Sequence, residues 1–170
     1  MDLKSIGTML ITLLFTVSAY AQELGVNVMF TPGGSIYALQ SENYKNRFSN
    51  YSITGKVANI GYRSASDALE EQGRGLALGA GVRFYKHAVK DGIYLGAGID
   101  AVYADMSTVH HENRNDDSLY GIIPIVEMGY SFKMGKFKIE PNAIMAPLST
   151  LNNVQTKMLT AVGISLWHQF

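Results

Sequence analysis

The sequence predicts an all-β chain: a closed antiparallel up-and-down transmembrane β-barrel of about eight strands, preceded by a signal peptide. Three observations lead there. A short apolar run follows a cationic start. From Glu23 onward, apolar residues alternate with small or polar ones in segments bounded by turn residues. In the best-patterned segments, the ionisable residues all fall on the glycine-rich face and none on the apolar one.

The N-terminus carries Lys4, an apolar run over residues 9–17 broken by Thr12 and Thr16, and Ala19 and Ala21 at the small-residue spacing of a cleavage site. A spanning helix needs about 20 apolar residues. The run is too short, so residues 1–21 are expected to be a secretory signal peptide and residues 22–170 one barrel domain. No cysteine is present, which excludes a lipoprotein anchor, a disulfide framework and a thiolate metal site. A formal net charge of zero gives no reason to expect a nucleic-acid partner. Mean hydropathy is +0.05, a value that suits a soluble chain and equally a barrel whose lipid-facing and inward residues average out.

The elements follow in order. Leu24, Val26, Val28 and Phe30 alternate with Gly25, Asn27 and Met29, and Pro32-Gly33-Gly34 marks a turn. Residues 36–40 read as a short second strand and 51–63 as a third, with alternation slipping near Gly55 as at a bulge. Leu78-Gly79-Ala80-Gly81-Val82-Arg83 is echoed 17 residues later by Leu95-Gly96-Ala97-Gly98-Ile99-Asp100, two similar strands of one hairpin. An even turn at Lys90-Asp91 would pair Arg83 with Gly98 and Tyr85 with Gly96, so that same-face residues meet and Tyr85 covers a bare glycine. Residues 120–132 put Tyr120, Ile122, Pro124, Val126, Met128, Tyr130 and Phe132 on one side. Residues 137–147 and 157–170 alternate likewise. An even turn at Met134-Gly135 would pair Phe132 with Phe137 and Gly129 with Glu140.

Charge decides between a soluble and a membrane sheet. Arg83, Asp100, Glu127, Lys138 and Glu140 lie on the small-residue face. A water-soluble sandwich, or a lipocalin-like barrel with an apolar centre, would show charges to solvent. Here the uncharged apolar face suits lipid, and the five ionisable residues are predicted to form an ionic network inside the barrel, with Lys56 as a candidate sixth member. Backbone groups in lipid must all be paired, so the sheet must close. Eight strands leave an interior that side chains just fill.

Little else carries chemistry. His110-His111-Glu112, with Asp116 and Asp117, lacks the spacing of a helical zinc site and reads as a solvated outer loop. No metal or cofactor is expected. Glu127 and Glu140 could be imagined as a general acid and base, but an ionic plug suits a narrow interior better. The glycine pairs match no phosphate loop.

The whole chain from residue 22 resembles, in pattern, the small bacterial outer-membrane barrels of the OmpX/OmpW/OmpA-barrel type. The most specific element is the C-terminus, where Phe170, His168, Leu166, Ile164 and Val162 occupy alternate positions. The resemblance implies that Phe170, His168 and Leu166 form the signal read by the barrel assembly machinery, with His168 departing from the usual aromatic or aliphatic residue. It implies location in the outer membrane among its lipids and lipopolysaccharide, a monomer, and both termini in the periplasm. Short turns are then expected there at residues 87–92 and 133–136, and outer loops at 64–75, 106–118 and 151–155. The 42–50 segment is long for a periplasmic turn. Among such barrels are lipid-modifying enzymes of the outer leaflet. Ser107, His110 and His111 lie near that rim without their His-x-Ser arrangement, and no catalysis is expected. The role implied is structural or surface-interacting. The alternative is an OmpW-like passage for a small or hydrophobic solute, and the two differ in whether the lumen is closed.

Overall fold

A computed structural model describes residues 21–44, 49–66, 69–87, 90–110, 113–148 and 158–170, with only the backbone given over 64–66, 69–71, 108–110 and 113–115. The expected signal peptide falls almost wholly on residues outside this set. Eight strands follow one another in space as in sequence: β1 (Glu23–Thr31), β2 (Gly34–Asn43), β3 (Tyr51–Ser66), β4 (Leu69–Tyr85), β5 (Gly92–His110), β6 (Asn113–Met134), β7 (Phe137–Pro147) and β8 (Met158–Gln169). All neighbours are antiparallel, and β8 returns to β1, closing the barrel.

The face assignment follows from the period of two. Ile99 is 57% exposed and its neighbour Asp100 only 6%. Phe30, Leu39, Ile53, Phe84, Leu95, Ile122, Val126 and Leu166 all stand exposed on the outer surface. In water such a belt would be far beyond the apolar patches that monomers tolerate. Tyr37, Tyr103 and Tyr120 rim it at one end, and Tyr51, Phe84, Tyr130, Phe132 and Phe137 at the other. On β5 the belt runs from Ile93 to Tyr103. At about 3.4 Å per residue and a tilt of about 40° it is roughly 26 Å tall, the height of a hydrocarbon core. The sheet spans a membrane.

The strands are unequal. β1 has 9 residues and β7 has 11, whereas β5 has 19 and β6 has 22. β3 to β6 therefore continue as paired strands beyond the Tyr103–Tyr120 level. The outer loops expected at 64–75 and 106–118 are instead mostly the ends of two long hairpins, paired out to Ser66↔Leu69 and His110↔Asn113. Their polar composition suppressed the strand signal.

Other corrections concern register. Tyr85 pairs with Tyr94, and Arg83 with Gly96. Phe132 pairs with Ile139, and Gly129 with Asn142. Both hairpins keep the expected faces but slip by two residues from the expected partners. In the second, Gly135 takes φ 62° and is the first central residue of a Gly135-Lys136 turn, the place a primed turn reserves for glycine. In the first, Lys90 (φ 54°) and Gly92 (φ 98°) take left-handed conformations in a longer turn. The β2–β3 ladder runs unbroken through Ser41↔Gly55, so there is no bulge at Gly55.

Candidate functional site

The lumen is built in tiers, and the charged one lies at the end where the chain termini sit. The two-residue turn after Thr31 sets Glu23 directly opposite Glu42. Two like charges on neighbouring strands repel. Lys138 of β7 reaches both: its Nζ lies 2.7 Å from Glu23 Oε2, 2.7 Å from Glu42 Oε2 and 3.0 Å from Glu140 Oε1. Tyr85 donates its hydroxyl to Glu42 Oε1 at 2.7 Å.

Arg83 makes the second centre. Its Nε and Nη2 donate to the two carboxylate oxygens of Glu127 at 3.3 and 2.7 Å, a bidentate fork. Nη1 donates to Glu140 Oε2 at 3.1 Å, and Nη2 to Gln40 Oε1 at 3.4 Å. The guanidinium lies over the rings of Tyr94 and Trp167 at 4.8 and 5.0 Å, and Tyr94 donates to Glu127 Oε1 at 2.9 Å. Glu140 thus joins the two centres.

Glycine explains how these pairs can form. Arg83, Gly96 and Glu127 stand in one row across β4, β5 and β6. A Cβ on Gly96 would come within 3.4 Å of Arg83 Cγ and 3.3 Å of Glu127 Cβ. The bare backbone lets the two side chains meet above it. The same device recurs one tier up. Lys56, Gly79 and Asp100 form a row across β3, β4 and β5, and Lys56 Nζ lies 2.9 Å from Asp100 Oδ2. A Cβ on Gly79 would strike both partners. The repeated Leu-Gly-Ala-Gly segments supply the middle residue of each row.

Of the five residues assigned to an interior network, Arg83, Glu127, Lys138 and Glu140 lie together. Asp100 stands apart with Lys56. Sequence reasoning missed Glu23, Glu42, Tyr85 and Tyr94. Glu23 and Glu42 were within reach, since counting outward from Pro32-Gly33 as a two-residue turn sets them opposite one another.

The space between the two ionic groups, lined by Thr54, Gly81, Gly98 and Ile125 among others, is about 30 Å³, room for a water or two. Beyond Asp100 the lumen is apolar, which the assignment of small and charged residues to the interior did not anticipate. Met29, Ile36, Ala58, Ala77, Val102, Ile123, Ile144 and Ala161 form one buried cluster, with a member from each strand. Charge marks an inward face clearly, whereas an inward Ile123 beside an outward Ile122 leaves no sign in the alternation. Past this septum, at the outer rim, a cavity of about 840 Å³ is lined by residues including Tyr62, Arg63, Arg74, Asp105, Asp117 and Ser118. Ser118 and Tyr103 both donate to Asp105 Oδ1, at 3.1 and 2.9 Å.

The opposite end is capped outside the membrane-spanning strands. Lys90 is buried with its ammonium over the Tyr44 ring. Burial holds Lys90 down to about 8, although Glu42 and Glu23 pull the other way. Burial and Glu23 push the Tyr44 hydroxyl up. Gln169 donates to that hydroxyl at 2.7 Å. At the C-terminus, the His168 ring stands edge-on between Phe137 and Phe170, at 5.2 and 5.1 Å, and Leu166 faces outward.

No family model and no curated protein matches the chain. Solved structures do. Neisserial surface protein A aligns with a TM-score of 0.57 at 10% identity, covering 87% of this chain and 94% of its own. The fold is that of the small outer-membrane β-barrels. Ail, the attachment invasion locus protein of Yersinia pestis, aligns with the same TM-score, identity and coverages. The N-terminal β-barrel domain of Pseudomonas aeruginosa OprF gives 0.54 at 6%, over 86% of this chain and 98% of that domain.

Within this barrel the remaining candidates for chemistry fall as follows. The side chains of His110, His111 and Glu112 lie outside the described residues, and Asp116 and Asp117 are exposed at the outer rim. Glu127 and Glu140 both bind Arg83 inside the lumen, which ties up their oxygens in an ion network.

Proposed function

We propose that the chain is an integral protein of the outer membrane whose barrel anchors the β3–β6 sheet at the cell surface, where that sheet meets other molecules. It carries out neither catalysis nor solute passage. The observation that supports this most is the pairing of a doubly blocked lumen with a long outward projection. Among the described residues, the apolar septum and the ionic plug fill the lumen one after the other. Beyond Tyr103 and Tyr120, β5 and β6 continue for seven residues each, roughly 24 Å at strand rise. The projecting hairpins and the rim cavity are the surfaces offered to a partner.

The rest of the reading is of the same kind. A leader over residues 1–21 delivers the chain, the Phe170, His168 and Leu166 end recruits the assembly machinery, and the barrel works as a monomer among outer-membrane lipids and lipopolysaccharide. Ail, which shares the fold, has been solved with the heparin analogue sucrose octasulfate, so a sulfated glycan is one probe to try.

The test uses the intact protein and a variant with both long hairpins cut back to the Tyr103–Tyr120 level. Cells displaying each are compared for adherence to protein-coated, sulfated-glycan-coated and sister-cell surfaces, and each barrel is reconstituted in a planar bilayer. Adherence that is lost with the hairpins, together with a silent bilayer, supports the reading. Discrete conductance steps from the intact barrel would replace it with solute passage.

A further inference from the structure

Arg74 of β4 and Asp105 of β5 stand directly opposite one another, close enough for an arginine to reach an aspartate. Among the described residues no ion pair joins them. The other neighbour explains why. Asp105 is also opposite Ser118 of β6, and the hydroxyls of Ser118 and Tyr103 donate to its Oδ1 at 3.1 and 2.9 Å. The carboxylate is held on the β6 side. Its Oδ2 and the Arg74 guanidinium are left without a partner among the described residues.

Both residues belong to the outward face, in step with the exposed Leu76 and Tyr103. They lie two residues past the Tyr103–Tyr120 rim, about 5 Å higher on a strand tilted by about 40°. The row continues into Gly61 of β3, which is opposite Arg74. A Cβ on Gly61 would meet only Ser35 atoms, at 3.8 and 3.9 Å, so bare backbone and open space lie beside the guanidinium. All these residues except Tyr103 line the rim cavity of about 840 Å³, a volume within the range of small-ligand sites. The charged side chains there are Arg63 and Arg74 against Asp105, Asp116 and Asp117.

We propose that this cavity binds the hydroxyls of an uncharged sugar, carried either by a free oligosaccharide or by a glycolipid headgroup beside the barrel. A hydroxyl both donates and accepts. Neighbouring hydroxyls of one sugar ring can therefore donate to Asp105 Oδ2 and accept from Arg74, bridging two groups that the fold keeps apart. An anion would satisfy Arg74 but meet three carboxylates, and a cation would meet two guanidinium groups. The proposal rests on the reading of the outer surface as a binding surface and names the chemistry of its ligand.

The experiment places the full barrel in phosphatidylcholine nanodiscs and reads retained ligand by native mass spectrometry. One arm offers free maltotriose, mannotriose, chitotriose and a heparin-derived oligosaccharide. The other builds digalactosyl diacylglycerol into the bilayer. At least one uncharged sugar is expected to be retained, and the arm in which it appears names the source. Near 1 M salt, where the Debye length is about 3 Å, retention should persist. Asp105→Asn should weaken binding roughly tenfold. Arg74→Lys should do the same although the charge is kept, because the planar fork is lost. Gly61→Leu should block the site with no change of charge, while Lys86→Gln at the opposite rim should have no effect. Heat-modifiable migration on a gel checks that each variant is folded. Retention of no uncharged sugar in either arm would overturn the proposal. So would retention of the heparin oligosaccharide alone, or undiminished binding by folded Gly61→Leu and Arg74→Lys. Hairpin-dependent adherence without sugar binding would strike the sugar and leave the outer-surface reading standing. Discrete conductance steps from the intact barrel would strike that reading itself.

Discussion

Lys138 holds three carboxylates at 3.0 Å or less in the barrel interior. Removing its charge leaves Glu23 facing Glu42 without the cation that bridges them, and Arg83, 3.7 Å from Glu42, compensates only in part. Lys138→Met is expected to cost about 3–5 kcal/mol, the range for breaking a buried ion pair from one side, read as a fall in the urea midpoint of refolding in lipid. Replacing Lys56 and Asp100 together with apolar residues of similar size should cost far less, because no orphaned charge remains. The glycines at the centres of the rows are as sensitive as the charges. Gly79→Val would wedge Lys56 from Asp100 and should destabilise the barrel more than the Lys56–Asp100 double replacement does. Equal effects of the two would show that the row geometry contributes nothing. Lys90 supplies a pH dependence. Its folded value of about 8 is below the ordinary value of about 10.4, so the unfolded chain binds that proton more tightly. The cost of burying the charge is fully present below pH 8 and is relieved as pH rises above it. Stability should rise between pH 8 and about 9.5, below the tyrosine range, and Lys90→Met should flatten the rise.

At the scale of the strand, the sequence was most legible where one face meets lipid. β4, β5, β6, β7 and β8 alternate across the belt because every second residue must be apolar there, and their faces came out as expected. Legibility failed where that contrast vanished. The outer ends of β3 to β6 carry polar residues in both registers of the alternation, so 64–75 and 106–118 read as loops. Partners inside the hairpins were misplaced by two residues, since alternation fixes only the face and the turn fixes the rest. The φ of 62° at Gly135 made that choice in one hairpin. The ionic network was legible as a set of inward charges, but not as the two centres and one separate pair into which register divides it. The expectation for the long strands is that the β5–β6 hairpin beyond Tyr103 can be removed without unfolding the belt. Heat-modifiable migration on a gel should persist after that deletion, and its loss would mean that the projection is part of the barrel's stability.

For the molecule as a whole, three tiers divide one lumen: an open polar rim, an apolar septum and an ionic plug. Each tier is chosen by what surrounds it. Water reaches the rim cavity. The septum packs like an ordinary core, and the plug gathers charges that neither lipid nor the septum could hold unpaired. The barrel is thus a soluble protein's section turned partly inside out, with apolar side chains on both the lipid surface and the septum. Alternation alone reveals the first and hides the second. The claim beneath all of this is which way alternate residues point, and the chain contains no cysteine to confuse a labelling experiment. Single cysteines placed along β5 from Ile93 to Tyr103, each spin-labelled in a lipid bilayer, would report accessibility to oxygen in the lipid and to a water-soluble nickel complex. Oxygen contact should rise at Ile93, Leu95, Ala97, Ile99 and Ala101 and fall at the residues between them. A reversed pattern, with the Ile99 label in water and the Asp100 label in lipid, would contradict the structure and everything inferred from it.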